Sequence, residues 1–301
     1  AQPFLNYALM NIIASLPKDQ NINIHESIIL KNINRLNISS VISSENNPSL
    51  DGMFNVENFT HLHKVIINFS KFREVNFIDY LKNNTVKEIT ALNVDGSLKW
   101  LNNFKHLEVL KLSPSWYNRV KDHDVFNSLI NLEELEIQCS NDITFLKNCI
   151  KIKKLKLNIS DAESIININT LEYLISLEEL EIIDTTKQQM QTFNSSILLS
   201  CKNLNKLFYS TKIDRTRDDD DPTLIAKTIE MRLFQVENLL NNIKHCERLE
   251  RLSIFTKSND SWKKEEGAFL NLNVEISSFN GLKNLPKLKT IKINEIELSI
   301  D

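Results

Sequence analysis

The letters LEELEI occur twice in the chain, at residues 132–137 and again at residues 177–182. Between these copies, residues 152–157 read IKKLKL, so the apolar positions are kept while the charges are reversed. The last four letters of each copy alternate polar and apolar residues, which is the period of a strand with one buried face. These segments therefore predict three short strands, and the phrase L-x-x-L-x-L defines a repeat.

The same phrase, with other apolar residues allowed at its apolar positions, fits the chain ten times. The ten repeats have their first apolar positions at Ile33, Leu62, Val86, Leu107, Leu132, Ile152, Leu177, Leu204, Leu249 and Leu288. Successive first positions are separated by 29, 24, 21, 25, 20, 25, 27, 45 and 39 residues. The first seven intervals agree with a repeat of about 20–29 residues. The last two predict insertions.

A second apolar pattern precedes most of the predicted strands. Apolar residues stand six and three positions before the first position of eight repeats: Val56/Phe59, Leu101/Phe104, Phe126/Leu129, Leu146/Cys149, Leu171/Leu174, Leu198/Cys201, Ile243/Cys246 and Leu282/Leu285. A spacing of three is typical of the inner side of a short helix. Each repeat is therefore interpreted as helix, turn and strand.

Over roughly residues 33–301 this repeat resembles the leucine-rich-repeat family. The resemblance implies an α/β fold, a right-handed solenoid or horseshoe with a parallel β-sheet on its concave face and helices on its convex face. Family members typically carry Asn or Cys eight residues after the first position. Here that position holds a hydroxyl residue in five repeats, at Ser70, Ser115, Ser140, Ser160 and Thr185. The chain resembles an irregular variant in which Ser or Thr replaces the asparagine ladder.

The expected domain organisation is a helical cap over residues 1–32 followed by about ten repeats over residues 33–301. Insertions are expected near residues 211–242 and 258–275. In the first insertion, Asp221-Pro222 is a typical helix start, and a long amphipathic helix is expected over about residues 223–248.

Residues two and four positions after the first position of each repeat are expected to point out of the concave face. In repeats five to seven they form a glutamate pair, a lysine pair and a second glutamate pair. Neighbouring strands lie about 4.8 Å apart, so these charges are expected to pair laterally. They either neutralise one another or form a charged recognition strip, with aromatic residues as contacts. The candidate partner-binding residues are Glu134, Glu136, Lys154, Lys156, Glu179, Glu181, Lys206, Phe208, Arg251, Phe255, Trp116 and Tyr117. Trp116 and Tyr117 form a separate patch at one rim, and core packing is the alternative for Trp116.

Residue types needed for catalysis or cofactor binding form no motif. Gly accounts for only 4 of 301 residues, and no glycine-rich phosphate-binding motif is present. Cys149, Cys201 and Cys246 share one repeat position, which predicts small buried side chains rather than a metal site. His61 and His63 are only two possible ligands, whereas structural zinc takes four. No enzyme activity, cofactor or metal is expected.

The expected function is a non-catalytic scaffold that binds another protein through the concave face. The small net charge of −3 does not favour nucleic acid as a partner. No run of 18 or more apolar residues is present, so no membrane is expected either. Two alternatives remain. Leu16-Pro17 and the apolar residues after it are similar to the start of an F-box. This resemblance implies a substrate-receptor or adaptor subunit of a ubiquitin ligase. The other alternative is a structural subunit of a large assembly. Unpaired thiols favour the cytoplasm, with the nucleus and secretion after signal removal left open.

Overall fold

The computed structural model describes residues 34–38, 61–68, 85–94, 96–114, 121–139, 143–159, 169–184, 195–211, 234, 236–255, 282, 285–293 and 296–299. The expected cap over residues 1–32 and the insertion over residues 258–275 lie outside these residues. So do the five hydroxyl positions that depart from the asparagine ladder. The chain divides into two units, Ala1–Leu135 and Glu136–Asp301.

The strands begin two residues after the first position of their repeats, as the phrase predicts. In the first unit they are β1 (Arg35–Ile38), β2 (Lys64–Asn68), β3 (Glu88–Val94), β4 (Val109–Pro114) and the beginning of β5 (Glu134–Cys139). β1 to β4 pair in chain order and in parallel, and equivalent repeat positions are opposite one another, as with Val65, Ile89 and Leu110. The repeat in sequence is therefore also a repeat in space.

The second unit continues the same arrangement. Its strands after β5 are β6 (Lys154–Ile159), β7 (Glu179–Asp184), β8 (Lys206–Thr211), β9 (Arg251–Phe255), β10 (Thr290–Ile293) and β11 (Ile296–Ser299). β6 to β10 pair in parallel, whereas β10 and β11 are antiparallel. The sequence reading did not predict β11. Only two residues separate it from β10, too few for the crossover that a parallel pair needs, so the chain must return antiparallel.

One backbone carbonyl in each repeat fixes the register of the next strand. The carbonyl of Glu178 accepts hydrogen bonds from the backbone amides of Asn205 and Lys206, at 2.8 and 3.0 Å. The carbonyl of Asn205 in turn accepts from Glu250 and Arg251, at 2.8 and 3.1 Å. These bonds recur at the same repeat position. Equivalent side chains of successive strands therefore line up across the sheet, both in the core and on the opposite face.

The segments before the strands are short 3₁₀ helices in the described repeats, with one exception. The 3₁₀ helices are Lys99–Asn103, His123–Ser128, Thr144–Leu146, Asn169–Tyr173 and Ser195–Ser200. A 3₁₀ helix has three residues per turn, so apolar residues three apart lie directly above one another and both face the core. The amide of Phe104 donates to the carbonyl of Leu101 at 3.0 Å, and Leu107 donates to Phe104 at 3.1 Å.

The exception lies in the longer ninth repeat. Residues 236–243 are α-helical, and Val236, Leu240 and Ile243 on this helix are buried. These residues belong to the apolar series that predicts the long helix. Residues 234 and 236–243 of the predicted helix are helical, whereas residues 244–248 form the turn before β9, so the helix ends five residues earlier than predicted. Residues 223–233 and 235 lie outside the description.

The core repeats as regularly as the sequence. In repeat seven, Leu171, Leu174, Leu177, Leu180 and Ile182 are each at most 1% exposed. The three cysteines that share one repeat position are also buried, as predicted. Burial raises the pKa of Cys149 to about 12 and that of Cys246 to about 11. Burial, with a smaller contribution from the neighbouring Cys246, raises the pKa of Cys201 to about 12. These thiols are protonated at neutral pH and pack as apolar side chains.

Candidate partner-binding surface

On each strand, every second side chain points away from the buried core. We call the surface that these side chains form the open face of the sheet. On β6 to β10 of the second unit, the open face includes the residues two and four places after the first apolar residue of each repeat. These residues are Lys154, Lys156, Glu179, Glu181, Lys206, Phe208, Arg251, Ser253, Thr290 and Lys292. All of these residues are at least partly exposed. The period-two pattern therefore assigned the two faces of the strands correctly.

Lys156 lies between two carboxylates on the open face. Its Nζ is 3.3 Å from Glu136 Oε1 and 3.4 Å from Glu181 Oε1. Partial burial opposes the charged form of Lys156, but the carboxylates of Glu181 and Glu136 outweigh this effect and raise its pKa. The three side chains thus form a lateral row in which one cation is shared between two anions.

Glu179 has the reverse arrangement, with one anion between two cations. Its Oε1 lies 2.6 Å from Lys206 Nζ and 3.6 Å from Lys154 Nζ. Partial burial opposes ionisation of Glu179, but the hydrogen bond and charge of Lys206, together with the charge of Lys154, lower its pKa. The lateral pairing of charges predicted from the sequence is confirmed in these two rows.

The first unit contains ion pairs of the same kind. Lys64 and Glu88 on β2 and β3 are bonded side by side. Lys111 Nζ on β4 lies 2.9 Å from Glu134 Oε1 on β5. Lateral neutralisation is therefore a property of the repeat and occurs in both units.

An aromatic pair adjoins the charged rows on β8 and β9. The rings of Phe208 and Phe255 have centroids 5.2 Å apart and are tilted by 31°. Both residues are only half-buried, and Nζ of Lys292 lies 5.7 Å from the centroid of the Phe255 ring. The two phenylalanines are diagonal neighbours, because Phe208 pairs with Ser253 in the strand register. The pair provides apolar surface on a face that is otherwise polar.

The remaining candidates do not join this surface. Trp116 and Tyr117 lie outside the described residues. His61 and His63 flank the buried Leu62 before β2, and both are exposed. Within the described residues, no three His, Cys, Asp or Glu side chains are grouped as metal ligands would be. In the same part of the chain, no helix is long and apolar enough to cross a membrane.

Two asparagines at the turns before the strands, one in each unit, are not among the candidates drawn from the sequence. Asn131 and Asn203 each stand directly before the first position of a repeat. Each amide donates to a backbone carbonyl of the preceding repeat: Asn131 to Lys105 at 3.4 Å, and Asn203 to Ile175 at 2.7 Å. Their shared repeat position was the signal that could have revealed this role.

Comparison with solved structures returns proteins built from leucine-rich repeats. Internalin C2 of Listeria monocytogenes is 14% identical, with 88% of this chain and 82% of that chain covered and a TM-score of 0.42. The internalin InlF of the same organism is 12% identical, with 97% and 88% covered and a TM-score of 0.41. TLR13, in a complex with ssRNA13, is 13% identical, with 88% and 40% covered and a TM-score of 0.45. No protein-family model matches the sequence, and no curated protein matches it.

The assignment of the fold rests on the chain itself. Buried apolar residues recur at the same offsets, and equivalent positions face one another across parallel strands in both units. The described part of the chain has the fold of a leucine-rich-repeat protein.

Proposed function

We propose that the chain binds another protein through the open face of the sheet, with Phe208 and Phe255 of the second unit as the central contacts. The observation that carries the proposal is the partly exposed aromatic pair, 5.2 Å between ring centroids, on a face where the neighbouring side chains are charged. Aromatic residues dominate the binding energy of many protein interfaces when a partner excludes water from them.

The charged rows beside the pair fit the polar rim of such an interface. Glu179 and Lys156 each contact two side chains of opposite charge, so their ion pairs exist before any partner arrives. Such pairs add little affinity but penalise a partner whose charges do not match. The aromatic pair would then contribute affinity, and the charged rows would contribute selectivity.

The arrangement supports binding rather than catalysis. A general acid or base needs a carboxylate or lysine free to exchange a proton with a substrate. Glu179 is held in its charged form by two lysines, and Lys156 by two glutamates. These groups are suited to recognition by charge.

The test is affinity capture from the native source, with partners identified by mass spectrometry. The full chain is compared with a Phe208→Ala/Phe255→Ala double variant and with a Tyr173→Ala control. Tyr173 is 51% exposed on the helix Asn169–Tyr173, so its removal deletes a similar aromatic surface outside the sheet. Proteins that the native chain and the control retain should be lost from the double variant. Retention of every partner by the double variant would contradict the proposal.

A further inference from the structure

We infer that the segment recognised by this surface is an acidic peptide segment with an apolar side chain, and that it docks across β8 and β9. The inference rests on the proposed function, since it specifies the chemistry of the partner at the same surface. Its basis is the distribution of charge along the open face. Cations and carboxylates alternate on β6 and β7, whereas β8 and β9 carry cations without carboxylates at the same positions.

Lys206 and Arg251 are the cations at this end of the surface. They are opposite one another in the β8–β9 register, so two positive charges lie side by side where the preceding strands place opposite charges. Among the described residues, Lys206 pairs with Glu179, while Arg251 forms no ion pair and acts only at longer range on the carboxylate of Glu250. Glu250, next to Arg251 in sequence, contacts Lys289 at 2.9 Å. A carboxylate from a partner would pair directly with Arg251, beside the existing Lys206–Glu179 pair.

The apolar part of the partner would contact the aromatic pair. Phe208 stands two residues after Lys206 on β8, and Phe255 four residues after Arg251 on β9. A further cation, Nζ of Lys292 on β10, lies 5.7 Å from the centroid of the Phe255 ring. The surface thus presents two cations and two rings within two adjacent strands.

An acidic peptide fits this distribution better than a nucleic acid does. A nucleic acid carries a charge at every phosphate and would meet the carboxylates of Glu179 and Glu181 on the neighbouring strand β7. A peptide can restrict its carboxylates to the positions over Lys206 and Arg251. Repulsion between the carboxylates of Glu179 and Glu181 and the phosphates would disfavour a nucleic acid.

The test begins with selection from a displayed library of random peptides against the immobilised full chain. Enriched sequences should combine Asp or Glu with an aromatic or aliphatic residue. An enriched peptide and its Asn/Gln counterpart are then measured by fluorescence anisotropy, together with a single-stranded RNA. The neutral counterpart should bind about tenfold more weakly, and the difference should shrink at high salt.

Two charge variants locate the contact. Arg251→Gln should weaken binding of the acidic peptide and leave binding of its neutral counterpart unchanged. Lys244→Gln removes an exposed cation outside the sheet and should change neither.

The outcomes separate the inference from the proposed function. If the library instead yields neutral or basic peptides, and Phe208→Ala/Phe255→Ala abolishes their binding, the acidic partner is overturned and the proposed function stands. If the selected peptides bind the double variant as well as the native chain, both the inference and the proposed function are contradicted. RNA that binds in an Arg251-dependent way, or a library that yields no acidic peptide, would overturn the inference.

Discussion

The side-chain amide of Asn203 donates a hydrogen bond of 2.7 Å to the backbone carbonyl of Ile175, in the preceding repeat. Its oxygen accepts a bond of 2.8 Å from Nη1 of Arg248, in the following repeat. One amide thus connects three consecutive repeats at the turns before their strands. In a solenoid each repeat is stabilised only by its neighbours, so contacts of this kind act directly on repeat-to-repeat coupling.

We predict that Asn203→Ala lowers the free energy of unfolding by about 1 kcal/mol, because it removes both bonds. Urea denaturation of the native chain and the variant measures the effect. Lys202→Ala is the matched control, since it shortens an exposed side chain of the same turn and leaves both bonds of Asn203 in place. If the control destabilises the chain as much as Asn203→Ala, the bonds of Asn203 contribute no special coupling.

The strands could be predicted closely from the sequence, whereas the detail of the other elements could not. Period-two alternation fixed the faces of β6 to β10, because a shift of one residue would have exposed every core side chain. The apolar spacing of three indicates the helical segments, but residues three apart share a face in both a 3₁₀ helix and an α-helix, so the spacing does not distinguish them. β11 was missed because Ile296–Ser299 follows no copy of the repeat phrase.

The second prediction concerns Lys156, which is shared by Glu136 and Glu181. Lys156→Met should leave two carboxylates without their common cation. The expected loss of stability is at most about 1 kcal/mol at physiological salt, because the three side chains are partly exposed. The loss should be larger at low salt, where repulsion between the carboxylates is less screened.

Thermal unfolding at two salt concentrations provides the measurement. The control is Lys202→Met, which removes an exposed lysine at a turn outside the sheet. It should show no salt-dependent loss. Equal behaviour of the two variants would mean that the lateral row does not stabilise the folded chain.

A third prediction compares a core leucine with an exposed isoleucine of the same repeat. Leu180 is 1% exposed and Ile175 is 64% exposed. Leu180→Ala should cost about 2–5 kcal/mol, because it removes buried methyl groups and leaves a cavity. Ile175→Ala should change stability by less than about 0.5 kcal/mol. Chemical denaturation of both variants distinguishes them, and similar costs would place Leu180 outside the core.

The candidate surface was predictable only in part, for a physical reason. In a parallel sheet of repeats, equivalent positions become lateral neighbours, so the ion pairs of Lys156 and Glu179 follow from repeat alignment alone. The contact between Phe208 and Phe255 is diagonal and depends on the direction of each side chain. The sequence indicated both residues as contacts but could not indicate that their rings meet.

The last prediction uses the buried thiols. The pKa of Cys201 is about 12 in the folded chain, against about 8.5 for an ordinary thiol in the unfolded chain. Between these values the folded state retains a proton that the unfolded state has lost. The stabilisation is therefore complete below about pH 8.5 and is lost as the pH rises towards 12, with a slope of about 1.4 kcal/mol per pH unit for each such thiol.

Denaturant titrations across about pH 9 to 11 test this linkage, because the slope of unfolding free energy against pH counts the protons retained on folding. Cys201→Ala should be less stable at neutral pH, since it leaves a small cavity, but its stability should fall less steeply as the pH rises. Leu204→Ala is the control: Leu204 is buried in the same repeat, and its removal lowers stability without removing a titrating group. Its slope should match that of the native chain. If all three slopes agree, the Cys201 thiol is not held protonated by burial.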